Sequence, residues 1–236
     1  MYYRIFSKIY ERAAKKMCLD CQGFIKKGSK ILDWGCGTAI VGKTFQDFFQ
    51  AELFGVDVQD VRTVKIPFKI TDGKSLSFPE NSFDVVLINY VLHHSEDPVS
   101  VLKEAKRVAR DKIVIYEDLP EDILSKLICQ LHGISFDNFF GNPTKTSFKT
   151  ELPKEAKRRD KSLTELPKEA KVKKRVKLSS PLHPSLRLGQ VKMRTKFSFA
   201  SEREWEKIFK ELRLNIIFKK RVNNFPVKKE LFILRV

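Results

Sequence analysis

The sequence predicts an α/β protein with a mostly parallel, seven-stranded sheet and helices on both of its faces. Short apolar runs that suit strands alternate with longer segments whose apolar residues recur at helical spacing. One run, FDVVLIN at residues 83–89, is almost continuously apolar, as expected of a strand buried on both faces. Because parallel strands need crossover connections, this alternation predicts a parallel sheet.

Each element has its own signal in the sequence. Residues 2–25 carry apolar side chains at helical spacing and predict an amphipathic N-terminal helix. Further strands are predicted at 29–34, 51–56, 65–70, 83–89 and 112–116, with helices at 39–49, 97–109 and 121–131. A capping box at 201–204 predicts a helix to Leu212. The last two strands, 214–218 and 230–236, have no helix between them, so we expect an antiparallel pair at the sheet edge.

The composition excludes several classes of protein. Hydrophobic residues make up 42% of the 236 residues, which is enough for an ordinary core. No uncharged apolar run reaches the roughly 18 residues of a membrane helix. Charged side chains within residues 1–12 argue against a signal peptide, and four cysteines argue against a disulfide scaffold. We therefore expect a reduced, soluble, cytoplasmic protein without a membrane segment.

The excess of positive charge lies mostly in one segment. The chain has a net charge of +17, yet residues 1–150 carry 21 basic and 19 acidic side chains. Residues 151–196 carry 15 basic and 5 acidic side chains, and no aromatic residue. This stretch also contains TELPKEAK twice, at 150–157 and 164–171. It predicts a solvated insert of about residues 150–190, or an arm that holds the phosphate backbone of a nucleic acid or another acidic partner.

A glycine turn at residues 35–37 joins the first predicted strand to the next helix, and three types of site fit it. A dinucleotide site needs a third glycine where Ile40 stands. A phosphate loop matches GTAIVGKT at 37–44 literally, although its central residues are bulky and apolar. The third type binds S-adenosylmethionine, and it gives roles to acidic residues that the first two leave unused.

The first strand supplies one side of the S-adenosylmethionine site. Asp33 would orient the glycine loop and the methionine ammonium group. Gly35, Cys36 and Gly37 would leave room for the methionine and ribose, because glycine allows close backbone approach and positive φ.

The following strands supply the rest of this site at their carboxyl ends, where open parallel sheets bind ligands. Asp57 would accept hydrogen bonds from both ribose hydroxyls, and Val58 would pack on the adenine. Asp72 would accept from the adenine amino group, with Gly73 giving a backbone contact. Asn89 would lie beside the methionine end.

The segments ILDWGCGT, GVDV, TDGKSLSFPENSFDVVLINYVLHHSEDP and VLKEAKRVARDKIVIYED together resemble class I S-adenosylmethionine-dependent methyltransferases. The resemblance is to the broad type-11-like methyltransferase-domain group and covers residues 29–118. It implies a Rossmann-like sheet, S-adenosylmethionine as cofactor, and a single domain. That domain has a helix at 1–28, a cofactor-binding core at 29–118, a lid with the insert at 119–200, and a closing helix and strands at 201–236. Trp34, the ARDK segment at 109–112 and the basic repeat depart from the family pattern.

Catalytic residues are not identified by the sequence, although several side chains follow the fourth and fifth strands. His93 or His94 would act as a base if the acceptor arrives protonated, or would only cap a turn. Tyr90 would shape the acceptor pocket. Glu117 and Asp118 would orient a cationic or hydroxyl acceptor, or merely begin the next loop.

Four residues have the right types for a zinc site: Cys18, Cys21, Cys129 and His132. Because they lie on predicted amphipathic helices, we favour buried cysteines and expect no metal.

The favoured function is a methyltransferase acting on a small molecule by in-line displacement. The alternatives are a methyltransferase on RNA or protein that docks through residues 151–196, a phosphate-loop nucleotidase, and a non-catalytic binding module. The oligomeric state has no signal in the sequence.

Overall fold

The structure is a computed structural model that describes residues 2–120, 122, 124–129, 200–223 and 227–236. The chain divides into one unit of residues 1–145 and 194–236 and a second of residues 146–193. All described residues belong to the first unit. The basic repeat, His132 and most of the predicted lid lie outside the described residues.

Seven strands form a single sheet in the order β3-β2-β1-β4-β5-β7-β6, which confirms the predicted fold class. Their bounds are β1 Lys30–Trp34, β2 Glu52–Asp57, β3 Phe68–Ile70, β4 Phe83–Asn89, β5 Ala109–Leu119, β6 Asn215–Asn223 and β7 Lys228–Arg235. The first five strands pair in parallel. The predicted antiparallel pair is present, but β7 lies inside the sheet, antiparallel to both β5 and β6.

Helices cover both faces of the sheet. They are α1 Tyr2–Cys21, α2 Ile40–Phe49, α3 Pro98–Val108 and α4 Glu202–Glu211, and residues 124–129 are also helical. One buried cluster joins α3 and α4 to the sheet through residues such as Leu102, Trp205 and Phe232. A second joins α1 and α2 to the opposite face through residues such as Cys18 and Phe45. Alternate residues of the central strands therefore face different helices, which explains their continuous apolar pattern.

The strand β5 is longer than predicted, because it begins directly after α3 at Ala109. Arg110 fixes this junction: its guanidinium donates to Asp84 Oδ1 at 2.7 Å and to the Asn81 carbonyl oxygen at 3.0 Å. Trp34, a second departure from the family pattern, is 2% exposed and fills the core under α3 and α4. The side chains at these two departures thus have structural roles outside the glycine turn.

An ion network attaches α4 to the last two strands. Glu202 accepts hydrogen bonds from Lys219 Nζ at 2.5 Å and Lys228 Nζ at 2.6 Å. These two bonds lower the pKa of Glu202 from 4.5 to about 2, and the bond from Lys219 has the larger effect. The predicted capping box of α4 is also present, since Ser201 and Glu204 each bond the backbone N–H of the other.

We expect Glu202→Gln to lower the free energy of unfolding by about 1–2 kcal/mol at pH 7. Because the pKa is lowered in the folded state, this stabilisation is complete above the unfolded pKa of 4.5 and is lost as pH falls towards 2. Urea unfolding of both proteins at several pH values measures the difference. Glu211→Gln is the control, because Glu211 faces exposed Lys207 at 4.0 Å. A Glu202→Gln effect that does not shrink in acid would contradict the assignment.

Candidate functional site

The glycine turn leaves the sheet between β1 and α2 with both glycines at positive φ, 74° at Gly35 and 51° at Gly37. The backbone N–H groups of Gly35 and Cys36 donate to the Val56 carbonyl oxygen, which ties the turn to β2. A Cβ at Gly35 would overlap the side chain of Val91, whereas a Cβ at Gly37 would meet no atom within 4 Å. Gly35 is therefore required by packing, and Gly37 borders open space.

Asp33 is a buried carboxylate beneath this turn. It is 1% exposed, and its Oδ2 has no hydrogen-bond partner among the described residues. A Cβ at Gly42 would overlap this oxygen, so α2 approaches Asp33 closely. Burial first, and then the nearby charge of Asp57, raise the pKa of Asp33 from 3.8 to about 7. A cationic ligand group would therefore be favoured beside Asp33.

Asp57 ends β2 and also faces the glycine turn. Its Oδ2 accepts from the Gly37 N–H at 2.8 Å, and its Oδ1 accepts from the Val58 N–H at 2.7 Å. Burial raises its pKa, and these amide bonds partly oppose the rise. Each carboxylate oxygen has two lone pairs, so Asp57 can hold the turn and still accept from a ligand hydroxyl.

The loops after β2 and β3 bring Val58 and Gly73 together. Val58 is 41% exposed, and a Cβ at Gly73 would lie 3.0 Å from its Cγ1. Gly73 also has φ of 74°, so no larger residue suits this position. Asp72 is exposed and accepts from the N–H groups of Lys74 and Ser75, both at 2.8 Å. Its oxygens thus already hold their own loop, and the predicted bond to adenine would be an additional one.

The turn after β4 begins with two unusual residues. Both polar side-chain atoms of Asn89 are buried without a hydrogen-bond partner among the described residues. Tyr90 follows with φ of 56°, and its N–H donates to the Tyr116 carbonyl oxygen. A non-glycine residue in this region stores backbone strain, which functional sites often contain.

Cys36 occupies the glycine turn but its side chain is only 7% exposed and lies in the core cluster shared by α1 and α2. Burial raises the pKa of its thiol. The Cys36 side chain thus packs in the apolar interior, so only its backbone would face a ligand at the turn.

His93 and Glu117 form a buried pair between the turn after β4 and the end of β5. His93 Nδ1 bonds Glu117 Oε1, and Glu117 also accepts from the N–H groups of Leu92 at 3.2 Å and Asp118 at 3.0 Å. Burial alone would lower the pKa of His93, but the charge of Glu117 and its hydrogen bond outweigh burial and raise it. The His94 ring lies 4.1 Å from that of His93, centroid to centroid.

Lys229 is a residue of this region that the sequence did not reveal. Its Nζ lies 3.6 Å from Asp118 Oδ1 and 4.7 Å from the centroid of the Tyr90 ring. The register of β7 on β5 places Lys229 opposite Asp118. The sequence did not predict this position, because the predicted last strand began at residue 230 and its partner strand was unknown. Only the pairing of β7 with β5 reveals it.

The structure argues against a phosphate loop at 37–44. Lys43 Nζ bonds Asp47 at 2.6 Å and Gln46 at 3.1 Å, along its own helix. Thr44 Oγ1 donates to the Ile40 carbonyl oxygen at 2.8 Å, and Ile40 is buried in the first turn of α2. The two side chains that would bind phosphate and magnesium are thus engaged within the helix.

The cysteines are free and buried, and burial raises the pKa of Cys18 to about 12 and that of Cys21 to about 11. Cys21 Sγ lies 3.5 Å from the Tyr116 hydroxyl. Within the described part of the chain, no three His, Cys, Asp or Glu side chains are grouped to hold a metal. The zinc hypothesis also requires His132, which lies outside that part.

No described helix combines the length and apolarity needed to cross a membrane.

Comparison with known sequences gives one family. Residues 32–115 match the family described as methyltransferase domain. An uncharacterized methyltransferase of Schizosaccharomyces pombe is 31% identical over 106 residues, which cover 37% of this chain and 38% of that protein. Demethylmenaquinone methyltransferase of Corynebacterium glutamicum is 36% identical over 95 residues, which cover 36% of this chain and 39% of that protein. The chain thus spans about two fifths of the length of these curated relatives.

Solved structures agree on the fold. A SAM-dependent methyltransferase of Aquifex aeolicus superposes with a TM-score of 0.54 at 13% identity, covering 94% of this chain and 89% of that one. At this identity the likeness concerns the fold alone. It extends beyond residues 32–115, so the closing helix and strands belong to the same architecture.

Proposed function

The chain contains a class I S-adenosylmethionine-dependent methyltransferase domain, and on that premise we propose that it transfers a methyl group from S-adenosylmethionine to a small-molecule acceptor. The observation that carries the proposal is the convergence of Asp33 and Asp57 on the glycine turn, with open space at Gly37. Two carboxylates whose pKa values are raised mainly by burial would be stabilised in their ionised form by a cationic ligand, and they can also accept hydrogen bonds from ligand hydroxyls.

The residues of the turn fit this cofactor. Asp33 Oδ2 has no hydrogen-bond partner of ordinary geometry among the described residues, although the Gly42 backbone lies close enough to oppose the rise of its pKa. It would accept from the methionine ammonium group, and the Asn89 side chain would complete that end. Asp57 would bind the ribose hydroxyls through the lone pairs not used by the backbone. Val58 and Gly73 would receive the adenine, because Val58 is exposed and Gly73 leaves the space beside it.

The mechanism requires mainly positioning. S-adenosylmethionine supplies a sulfonium-bound methyl group whose leaving thioether is neutral, so no protein acid is needed. The chain would hold the acceptor in line with the methyl group and exclude water. Such positioning can account for most of the rate enhancement. Asp118, Tyr90 and Lys229 form the polar wall nearest the end of β5 and would orient the acceptor.

A proton must leave only if the acceptor nucleophile carries one. His93 would then receive it, since Glu117 holds the imidazole through Nδ1. The pKa of His93 is raised above the ordinary histidine value of 6.5, so His93 would become a neutral base only as the pH rises above that value. Methylation of such an acceptor would accordingly increase with pH.

The proposal of a small acceptor has two supports. Residues 1–150, which include the glycine turn and the first five strands, have a nearly balanced charge. One relative, from Corynebacterium glutamicum, acts by its name on demethylmenaquinone, which is a small molecule.

Methylation of RNA or protein through residues 151–196 is the alternative, supported by the 15 basic side chains there. It predicts binding of bulk RNA that falls steeply with salt and is lost on deletion of residues 151–190.

Calorimetric titration tests the cofactor. We expect S-adenosylhomocysteine to bind the full-length protein with micromolar affinity, Mg-ATP to show no binding heat, and Lys43→Ala to change neither result. Among the described residues the Lys43 side chain bonds Gln46 and Asp47 of its own helix, so its removal should leave the turn intact. Binding of Mg-ATP alone, lost in Lys43→Ala, would instead establish a phosphate loop and refute the methyltransferase proposal.

A further inference from the structure

A cleft lies at the end of the sheet opposite the glycine turn, where the parallel strands begin. It has a volume of about 640 Å³, within the range of small-molecule sites. The loop after α1 forms one wall, and the start of β5, the end of β7 and the edge strand β6 form the other. Its lining residues are Gln22, Gly23, Phe24, Ile25, Lys26, Lys27, Lys112, Ile217 and Arg235.

Two cations are held face to face inside this cleft. Lys112 of β5 and Arg235 of β7 are directly opposite in the antiparallel register, so their side chains leave the same face of the sheet. Like charges in this arrangement destabilise a sheet. Lys112 is also only 8% exposed, which adds a desolvation cost. Asp111 forms an ion pair with Lys112 and so offsets part of this cost.

The other cations of the cleft have no counter-ion. No ion pair joins Lys26, Lys27 or Arg235 to a carboxylate within the described residues, and all three are exposed. No acidic residue lines the cleft, since Asp111 lies outside the lining set. Four positive side chains therefore line one concavity, and its lining residues include no acidic one.

The floor of the cleft is apolar and firmly held. Ile25 is 4% exposed, and the Phe24 ring lies 4.8 Å from that of Phe218, centroid to centroid. The N–H groups of Phe24 and Ile25 both donate to the Cys21 carbonyl oxygen. These bonds join the loop backbone to the end of α1, so the cations surround an apolar floor that is hydrogen-bonded to the helix.

We propose that this cleft binds a small phosphate-bearing molecule. The Arg235 guanidinium would donate two parallel hydrogen bonds to phosphate oxygens, and the ammonium groups of Lys26 and Lys27 would neutralise the remaining charge. The bound anion would also separate the charges of Lys112 and Arg235 from each other. Phe24 and Ile217 would contact the non-phosphate part of the molecule. A small ligand fits better than a nucleic acid, because the charges are gathered in one cleft instead of along a stripe.

Calorimetry with inorganic pyrophosphate and with metal-free ADP tests the proposal on the full-length protein. We expect submillimolar binding of both, weakened about tenfold by Arg235→Gln and by Lys27→Gln. Lys103→Gln is the matched control, because Lys103 is an exposed lysine on α3 and not part of the cleft. Binding should be unchanged in Lys103→Gln, in Asp57→Ala and in the presence of saturating S-adenosylhomocysteine.

Four results would overturn the proposal. The first is no binding of either probe. The second is binding that Lys103→Gln weakens as much as Arg235→Gln, which would indicate a general charge effect. The third is binding of an RNA homopolymer alone, with a steep salt dependence, which would indicate a nucleic-acid surface. Competition by S-adenosylhomocysteine would mean that pyrophosphate occupies the cofactor site, so failure here is distinguishable from failure of the methyltransferase proposal.

Discussion

The variant Asp57→Ala is expected to bind S-adenosylhomocysteine at least about 100-fold more weakly than the wild type. Two hydrogen bonds from ribose hydroxyls to one carboxylate contribute about 1.5–3 kcal/mol each, so their loss is equivalent to a factor of this size or more. The variant also removes the acceptor of the Gly37 N–H, which holds the glycine turn in position. Titration calorimetry at constant pH measures the change.

Asp60→Ala is the control for this experiment. Asp60 lies on the same loop and carries the same charge, but its carboxylate bonds Arg62, at 2.8 Å through both Nε and Nη2. We expect its affinity to stay within about threefold of the wild type, because exposed ion pairs contribute little. Equal loss in both variants would show that loop charge, and not the Asp57 contact, governs binding. Undiminished binding by Asp57→Ala would contradict the proposed ribose site.

The second large effect is expected for Asp33→Asn, which should stabilise the ligand-free protein while it weakens cofactor binding. The pKa of Asp33 is about 7 in the folded protein and 3.8 for an unperturbed carboxyl. The folded state therefore binds more protons between these values, and stability falls as pH rises from about 4 to 7. Above pH 7 the wild type carries the full cost of the buried charge, on the order of 4 kcal/mol, which the variant avoids.

Urea unfolding measures the stability half of this prediction. At pH 8 Asp33→Asn should be the more stable protein by about 4 kcal/mol, and near pH 4.5 the difference should shrink to about 1 kcal/mol. Asn is nearly isosteric with Asp, so it does not disturb the close approach of Gly42. A variant that is less stable than the wild type at pH 8 would mean that the buried carboxylate is satisfied in the folded protein.

Cofactor titration measures the other half. Because the ammonium group of the ligand favours the ionised form of Asp33, wild-type affinity for S-adenosylhomocysteine should rise between pH 6 and pH 8. Asp33→Asn should bind about 30–100-fold more weakly and lose most of this pH dependence, although Asp57 also titrates with a raised pKa. A wild-type affinity that is flat across this interval would exclude Asp33 as the partner of the ammonium group.

The sheet and its helices could be predicted because their signals are local. The apolar run of β4 has the predicted bounds, and the capping box of α4 is present. The strands β3 and β5 were misjudged in length, because strand ends depend on partners: β3 pairs over only three residues, and β5 gains residues where Arg110 clamps it to Asp84. The position of β7 between β5 and β6 has no local signal, because it is decided by pairing between distant segments.

The candidate site followed the same rule. Asp33 and Asp57 end predicted parallel strands, so their meeting at the glycine turn could be inferred from chain order alone. The burial of Asp33 by Gly42, the packing of Gly35 on Val91 and the placement of Lys229 beside Asp118 depend on tertiary contacts. The direction of the Lys43 side chain could not be predicted either. It depends on where α2 begins, and the phosphate-loop pattern in the sequence does not fix that residue.

The inward position of β7 has a consequence for synthesis of the protein. The edge of β5 that β7 covers stays unpaired until residues 228–235 have left the ribosome, more than a hundred residues after β5 itself. During that interval the growing chain presents a long, apolar strand edge, which is a template for wrong pairing between nascent chains. Translation speed and chaperone access over this stretch should therefore affect yield more than the final stability does.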